Sequence, residues 1–217
     1  SGLEFTGYIA WDIDEIFTSD ILDGEADGVD YDLPFGSIAS IERDGSRGAR
    51  VTLQDGKTMV LRGTNDVNSD IGGISVSDPA LGEVKMDWRT FDAVRFHRAG
   101  TEPGWGFFDG GRTLRGTVVT ESGRELAGEI EWDTDEARSW EMLNGEMDGV
   151  EFQIEFGTIA RIEKTRWGSL VTLKDGRVFE LEGSNDVERG NRGIVVRTAD
   201  GISEIDWDSF KVLRFES

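Results

Sequence analysis

The chain of 217 residues has no cysteine and one histidine, His97. Without thiols there is no disulfide, no thiolate zinc centre and no cysteine nucleophile. One imidazole rules out any repeated site built on histidine. It also confines a Ser-His-Asp arrangement to the surroundings of His97, which itself reads as an exposed or capping side chain. Long apolar runs are missing: nothing approaches the ~18 residues of a membrane-spanning helix. The first residues do not read as a secretory leader. Positive charge is short, with 23 basic against 44 acidic residues and a formal net charge of −21. Nucleic acids are bound by basic patches that displace counterions, so a nucleic-acid partner is not expected. An anionic membrane surface is disfavoured for the same reason. Lysine is the scarcer base, 5 residues against 18 arginines. An acid-rich, lysine-poor surface suits high-salt solvent, and a GC-rich genome would favour arginine over lysine in the same way. Of the compartments, the periplasm or the cell exterior is slightly favoured. The natural small partner of such a surface is a divalent cation such as Ca²⁺.

What the chain does contain is itself, twice. Phe5-Thr-Gly-Tyr-Ile-Ala-Trp-Asp-Ile-Asp-Glu15 aligns with Leu126-Ala-Gly-Glu-Ile-Glu-Trp-Asp-Thr-Asp-Glu136. Phe35-Gly-Ser-Ile-Ala-Ser-Ile-Glu42 aligns with Phe156-Gly-Thr-Ile-Ala-Arg-Ile-Glu163. Val51-Thr-Leu-Gln-Asp-Gly-Lys57 aligns with Val171-Thr-Leu-Lys-Asp-Gly-Arg177, and Asn65-Asp-Val67 with Asn185-Asp-Val187. The offset drifts only from 121 to 119. Such self-similarity reads as a tandem duplication. The copies are expected at 1–99 and 114–217, joined by a Gly- and aromatic-rich linker over 100–113.

Apolar spacing within each copy is that of strands. Ile154, Phe156, Ile159 and Ile162 are separated by two, three and three, and Ile205, Trp207, Phe210 and Leu213 repeat the steps. A step of two is a strand, and steps of three are one tight 3₁₀ turn into the next strand. In Val171–Leu181 a three-residue loop with Gly176 in the left-handed position puts Val171, Leu173, Phe179 and Leu181 on one face. The pattern resembles small barrels of the SH3-like or Sm-like kind. That resemblance implies an all-β chain of small β-barrel or β-roll units and says little of function. Helix is expected only at 135–143, after an acidic cap. The second copy opens its first hairpin near Leu114, whereas the first starts at Phe5, already in the second strand. One strand of roughly eight residues therefore lacks a counterpart in the first copy.

Candidate sites follow the acids and the unpaired tryptophans. Asp12, Asp14 and Glu15, with Asp133, Asp135 and Glu136, place carboxylates where a strand ends, a spacing that suits a hard cation or a polar cap. Asn144, Glu146 and Asp148 fit part of the EF-hand spacing, with Gly149 next, but an alternating strand pattern follows instead of a helix. Asn65-Asp66 and Asn185-Asp186 read as side-chain-to-backbone turns. Trp11, Trp88, Trp132 and Trp207 recur in both copies and read as core. Trp105, Trp140 and Trp167 do not recur, and are the candidates to stack on a sugar ring or hold a partner chain.

No phosphate loop, dinucleotide fingerprint or nucleophile elbow is present. The leading expectation is a non-enzymatic binding or scaffold protein with a protein or carbohydrate partner. A Ca²⁺-stabilised carbohydrate-binding module comes second, and a glycoside-active enzyme using two carboxylates third.

Overall fold

The computed structural model describes residues 2–100 and 111–216. Trp105 and most of the expected linker lie outside the described residues. The chain is all-β: every described element is a strand or a short 3₁₀ turn. The described residues divide into two compact units. One takes 2–78, 84–100 and 148–150, the other 79–83, 111–147 and 151–216.

The first unit holds β1 (Tyr8–Trp11), β2 (Ile21–Ala26), β3 (Val29–Pro34), β4 (Ile38–Arg43), β5 (Gly48–Leu53), β6 (Thr58–Arg62), β7 (Ile74–Asp78) and β9 (Ala93–Arg95), with β8 (Gly82–Met86) between the last two. Six of these form an antiparallel sheet in the order β3-β2-β6-β5-β4-β9. β1 pairs antiparallel with β7, with Tyr8 opposite Ser77 and Trp11 opposite Ile74. The alternating apolar positions explain the pairing. Ile38, Ile41, Val51 and Leu61 all turn to one side and are fully buried with Trp11 and Leu22. Trp11 stands edge-on to Phe91, ring centroids 5.2 Å apart, and to Trp88 at 6.1 Å, the arrangement that ring quadrupoles favour.

The second unit holds β10 (Arg115–Thr120), β11 (Glu125–Glu131), β12 (Met142–Met147), β13 (Val150–Glu155), β14 (Ile159–Lys164), β15 (Ser169–Leu173), β16 (Val178–Leu181), β17 (Ile194–Thr198), β18 (Gly201–Ile205) and β19 (Phe210–Phe215). Its main sheet is eight-stranded, in the order β16-β15-β14-β19-β10-β11-β17-β18. Trp132 meets Phe210 edge-on at 5.2 Å and Trp207 at 6.2 Å. Both units turn through a 3₁₀ step where the apolar spacing changes from two to three, at Phe35–Ser37 and Phe156–Thr158. Gly176 closes the β15–β16 loop at φ 94°, and Val171, Leu173, Phe179 and Leu181 are buried together.

Two expectations are corrected. None of the three antiparallel sheets closes into a barrel. β3 and β9 each end the six-stranded sheet, and β16 and β18 end the eight-stranded one. The helix expected at 135–143 does not form. Asp133 and Thr134 take left-handed backbone at φ 47° and 64°, which turns the chain back so that Trp132 and Glu136 bridge. Further on, the Ser139 N–H donates to the Arg112 carbonyl at 2.8 Å instead of to a helical neighbour.

Candidate functional site

Each unit carries an acidic turn at the end of a strand, β1 in the first and β11 in the second. In the first, β1 runs out at Trp11, and Asp12 and Ile13 both adopt positive φ (47° and 66°). Trp11 N–H then donates to the Glu15 carbonyl at 2.9 Å, and Glu15 N–H to the Trp11 carbonyl at 3.0 Å. This tight reversal stacks Asp12, Asp14 and Glu15 in one place. A second element closes on them, the 3₁₀ turn Asn65–Val67. Trp11 Nε1–H donates to the Asp66 carbonyl at 2.8 Å, which pins that turn to the core. Asn65 Nδ2 and the Gly72 N–H both donate to the Asp12 carboxylate. Oxygens of Asp12, Glu15 and Asp66 come within 4.8 Å of one another. Asp66 is buried, and its Oδ2 accepts from the Asp23 N–H at 2.8 Å.

The second unit repeats this geometry. Trp132 Nε1–H donates to the Asp186 carbonyl at 2.9 Å, and Asn185 Nδ2 to the Asp133 carboxylate. Asp133, Asp135 and Glu136 present oxygens within 4.8 Å of one another, and Asp133 is fully buried. The Asp186 Oδ2 accepts from the Asn144 N–H at 2.7 Å and from Asn144 Nδ2 at 2.9 Å.

Electrostatics follow from burial. Desolvation, then the charges of Asp14 and Asp66, push the Glu15 carboxyl up to about 7. Glu136 rises further, to about 9, through burial, a hydrogen bond with Asp135, and the Asp186 charge. Asp66 and Asp186 are both raised, burial again being the first cause. In both glutamates the Oε2 atom is shut off from solvent and has no hydrogen-bond partner. A buried anion without a counter-charge is costly, so each turn either holds a proton or needs a cation.

The two turns solve that problem differently. In the second, the Arg192 guanidinium sits on the acids. It donates to Asp133 at 3.1 Å and ion-pairs with Asp135. The aligned residue in the first unit is Gly72. Among the described residues no lysine or arginine forms an ion pair with Asp12, Asp14, Glu15 or Asp66. The first unit also has Asp23 where the second has the neutral Asn144.

The structure thus joins pairs that the sequence reading kept apart: Asp12, Asp14 and Glu15 with Asn65 and Asp66, and Asp133, Asp135 and Glu136 with Asn185 and Asp186. Asn144 and Glu146 lie on β12, and Asp148 (φ 54°) with Gly149 (φ 78°) makes the two-residue turn into β13. Of these three, Asn144 reaches the second cluster, as a donor to Asp186. Trp140 is half exposed and lines an open depression of about 410 Å³ with Asp135, Glu136, Glu141 and Met142. Trp167 is exposed between β14 and β15, with the Arg166 guanidinium 4.7 Å from its ring centroid. The sequence reading missed Arg192. The signal was available in the alignment, where arginine faces glycine just before the matching pairs Gly73–Gly193 and Ile74–Ile194.

No family model, curated protein or solved structure matches the chain.

Proposed function

We propose that the chain is a non-enzymatic binding module made of two copies of one β-unit, and that the first copy bears the binding face. One observation carries this reading. Ile13, Ile16 and Phe17 are 56%, 58% and 64% exposed, and all three fall in the short segment that forms and follows the acidic turn. The aligned residues of the second unit are Thr134, Ala137 and Arg138. Grouped apolar side chains in water beside a polar rim mark interaction sites. The backbone beneath is already fixed. The Asp20 carboxylate accepts from the Ile16 N–H at 2.8 Å and the Phe17 N–H at 2.7 Å, so little ordering is left to be done on binding.

A photo-crosslinking residue at 17, with one at the half-exposed Val178 as control, tests it in an extract of the source cells. A discrete adduct from 17 alone is expected. Identical products from both positions, or none, sink the reading.

A second reading is favoured by the missing guanidinium: the first turn takes a divalent cation where the second holds Arg192. Asp12, Glu15 and Asp66 supply hard oxygen ligands of the kind Ca²⁺ prefers. Binding to the folded state alone raises the unfolding midpoint by mass action. Millimolar Ca²⁺ should therefore raise it beyond NaCl of equal ionic strength, and Asp66→Asn should remove the excess. Arg192→Met should lower the midpoint and add a second Ca²⁺ response. Equal shifts with Ca²⁺ and matched NaCl would retire the cation.

A further inference from the structure

The second unit carries its own cation at the acidic turn, and the first does not. Arg192 reaches back so that its guanidinium donates to Asp133 at 3.1 Å and pairs with Asp135. The aligned acids of the first unit are Asp12 and Asp14, and Gly72 stands where the arginine would. Among the described residues no other base takes that place. Lys85 lies against Gly73 and forms no ion pair with the acids. Residues 101–110 contain no lysine or arginine at all.

We propose that the acidic turn of the first unit is a socket for the arginine side chain of a partner polypeptide, which supplies the guanidinium that Arg192 supplies to the second unit. This rests on the first copy bearing the binding face, and names the chemistry that the face recognises.

The socket is formed before any cation arrives. Asn65 Nδ2 and the Gly72 N–H hold the Asp12 carboxylate, as Asn185 Nδ2 and the Arg192 N–H hold that of Asp133. With both of those bonds in place, Asp133 still accepts from the guanidinium. Asp12, held in the same way, has the same capacity to spare. Asp14 is exposed, as is Asp135. A planar guanidinium meets such a pair of carboxylates with charge-assisted hydrogen bonds, which are stronger than neutral ones.

The mouth suits the stem of the side chain. A Cβ on Gly72 would stand 2.9 Å from Asp12 Oδ1 and 3.6 Å from Ile13 Cδ1. The acid and the isoleucine thus border the point from which Arg192 reaches in the second unit. Arginine lays its methylenes on apolar surface while its head stays with polar groups. Ile13 offers that surface in water, where the second unit has Thr134. Ile16 and Phe17, in the same short segment, are left for apolar neighbours of the arginine. A divalent cation would use the acids and give the apolar side chains no part. An arginine flanked by apolar residues uses both.

The probe is the capped peptide acetyl-Leu-Arg-Leu-amide, titrated into the whole chain and followed by backbone amide shifts. Saturable shifts are expected at residues 12–17 and 72–73, with none at the aligned residues of the second unit. Citrulline in place of the arginine keeps the shape and removes the charge. It should weaken binding on the order of tenfold or more. Gly72→Arg should set a guanidinium on Asp12 and Asp14 from within, raise the unfolding midpoint and abolish the shifts. The citrulline comparison is made in the parent chain, so it stands whatever Gly72→Arg does to folding. The proposal is overturned if the two peptides bind alike, if the shifts fall elsewhere, or if Gly72→Arg folds with an unchanged midpoint and still binds. Ca²⁺ that shifts these amides where the peptide does not would give the acids to a metal instead. Failure of the peptide alongside a discrete adduct from residue 17 would sink the arginine and leave the binding face standing. Peptide binding with no adduct would do the reverse.

Discussion

At the scale of the residue, the half-buried glutamates Glu15 and Glu136 make the chain sensitive to pH in an unusual direction. The Glu136 pKa rises from 4.5 to about 9 in the folded state. The folded chain therefore binds a proton that the unfolded chain has released, and stability falls as pH climbs through that window. The contribution of this group is complete below about 4.5 and lost by about 9. Glu136→Gln keeps the neutral shape at every pH. It should raise the unfolding midpoint at pH 8, with the gain shrinking towards pH 4.5. Glu15→Gln should act likewise over a narrower window that closes near 7. Equal midpoints for Glu136→Gln and the parent chain at pH 8 would show that the carboxyl is not held neutral. The acids of this site were legible in the sequence because Trp-Asp-x-Asp-Glu occurs twice at the same place. Arg192 was not, since an arginine in a polar, Gly-rich loop that also holds Arg189 carries no period. Its meaning lies in the Asp133 and Asp135 carboxylates, more than fifty residues away along the chain.

At the scale of the element, hairpins were the most readable feature and the acidic segment the least. The loop at 174–176 announces itself through Asp-Gly between alternating apolar residues. The segment 135–143 has helical composition, yet the left-handed pair Asp133 and Thr134 and the strand entering at Arg112 hold it extended. Tertiary partners overrode a weak local preference. Close approach between strands sets a harder limit than turn conformation does. A Cβ on Gly128 would lie 2.2 Å from the Arg197 carbonyl oxygen, while one on Gly56, at φ 88°, meets nothing within 4 Å. Gly56→Ala should cost about 1 kcal/mol, from backbone conformation alone. Gly128→Ala should cost about 2 kcal/mol or more, because β11 and β17 must move apart. Denaturant titration of the two variants checks the order, and a reversed order would mean that β11 and β17 yield easily.

At the scale of the whole molecule, a net charge of −21 works against the folded state by self-repulsion. Raising NaCl from 0.01 to 1 M shrinks the screening length from about 30 to about 3 Å. The unfolding midpoint should climb throughout that range, with half the gain already made near physiological salt. A flat response would mean that the acids are neutralised locally, by protons or by bound cations, and not by the ionic atmosphere. The all-β class was legible from periodicity, because alternation and tight turns are local. Sheet closure was not. It depends on how many strands meet and on their stagger, which no local pattern encodes.

Ile13 carries a consequence of its own. Its backbone sits at φ 66°, where a β-branched residue is costly, and its side chain is more than half in water, where an apolar residue gains nothing from folding. Glycine or asparagine would suit the turn better on both counts. Folding alone gives no reason for isoleucine at this position. On the proposed reading of this turn as a binding face, the backbone cost at Ile13 is stability that the first unit gives up to keep apolar side chains in water.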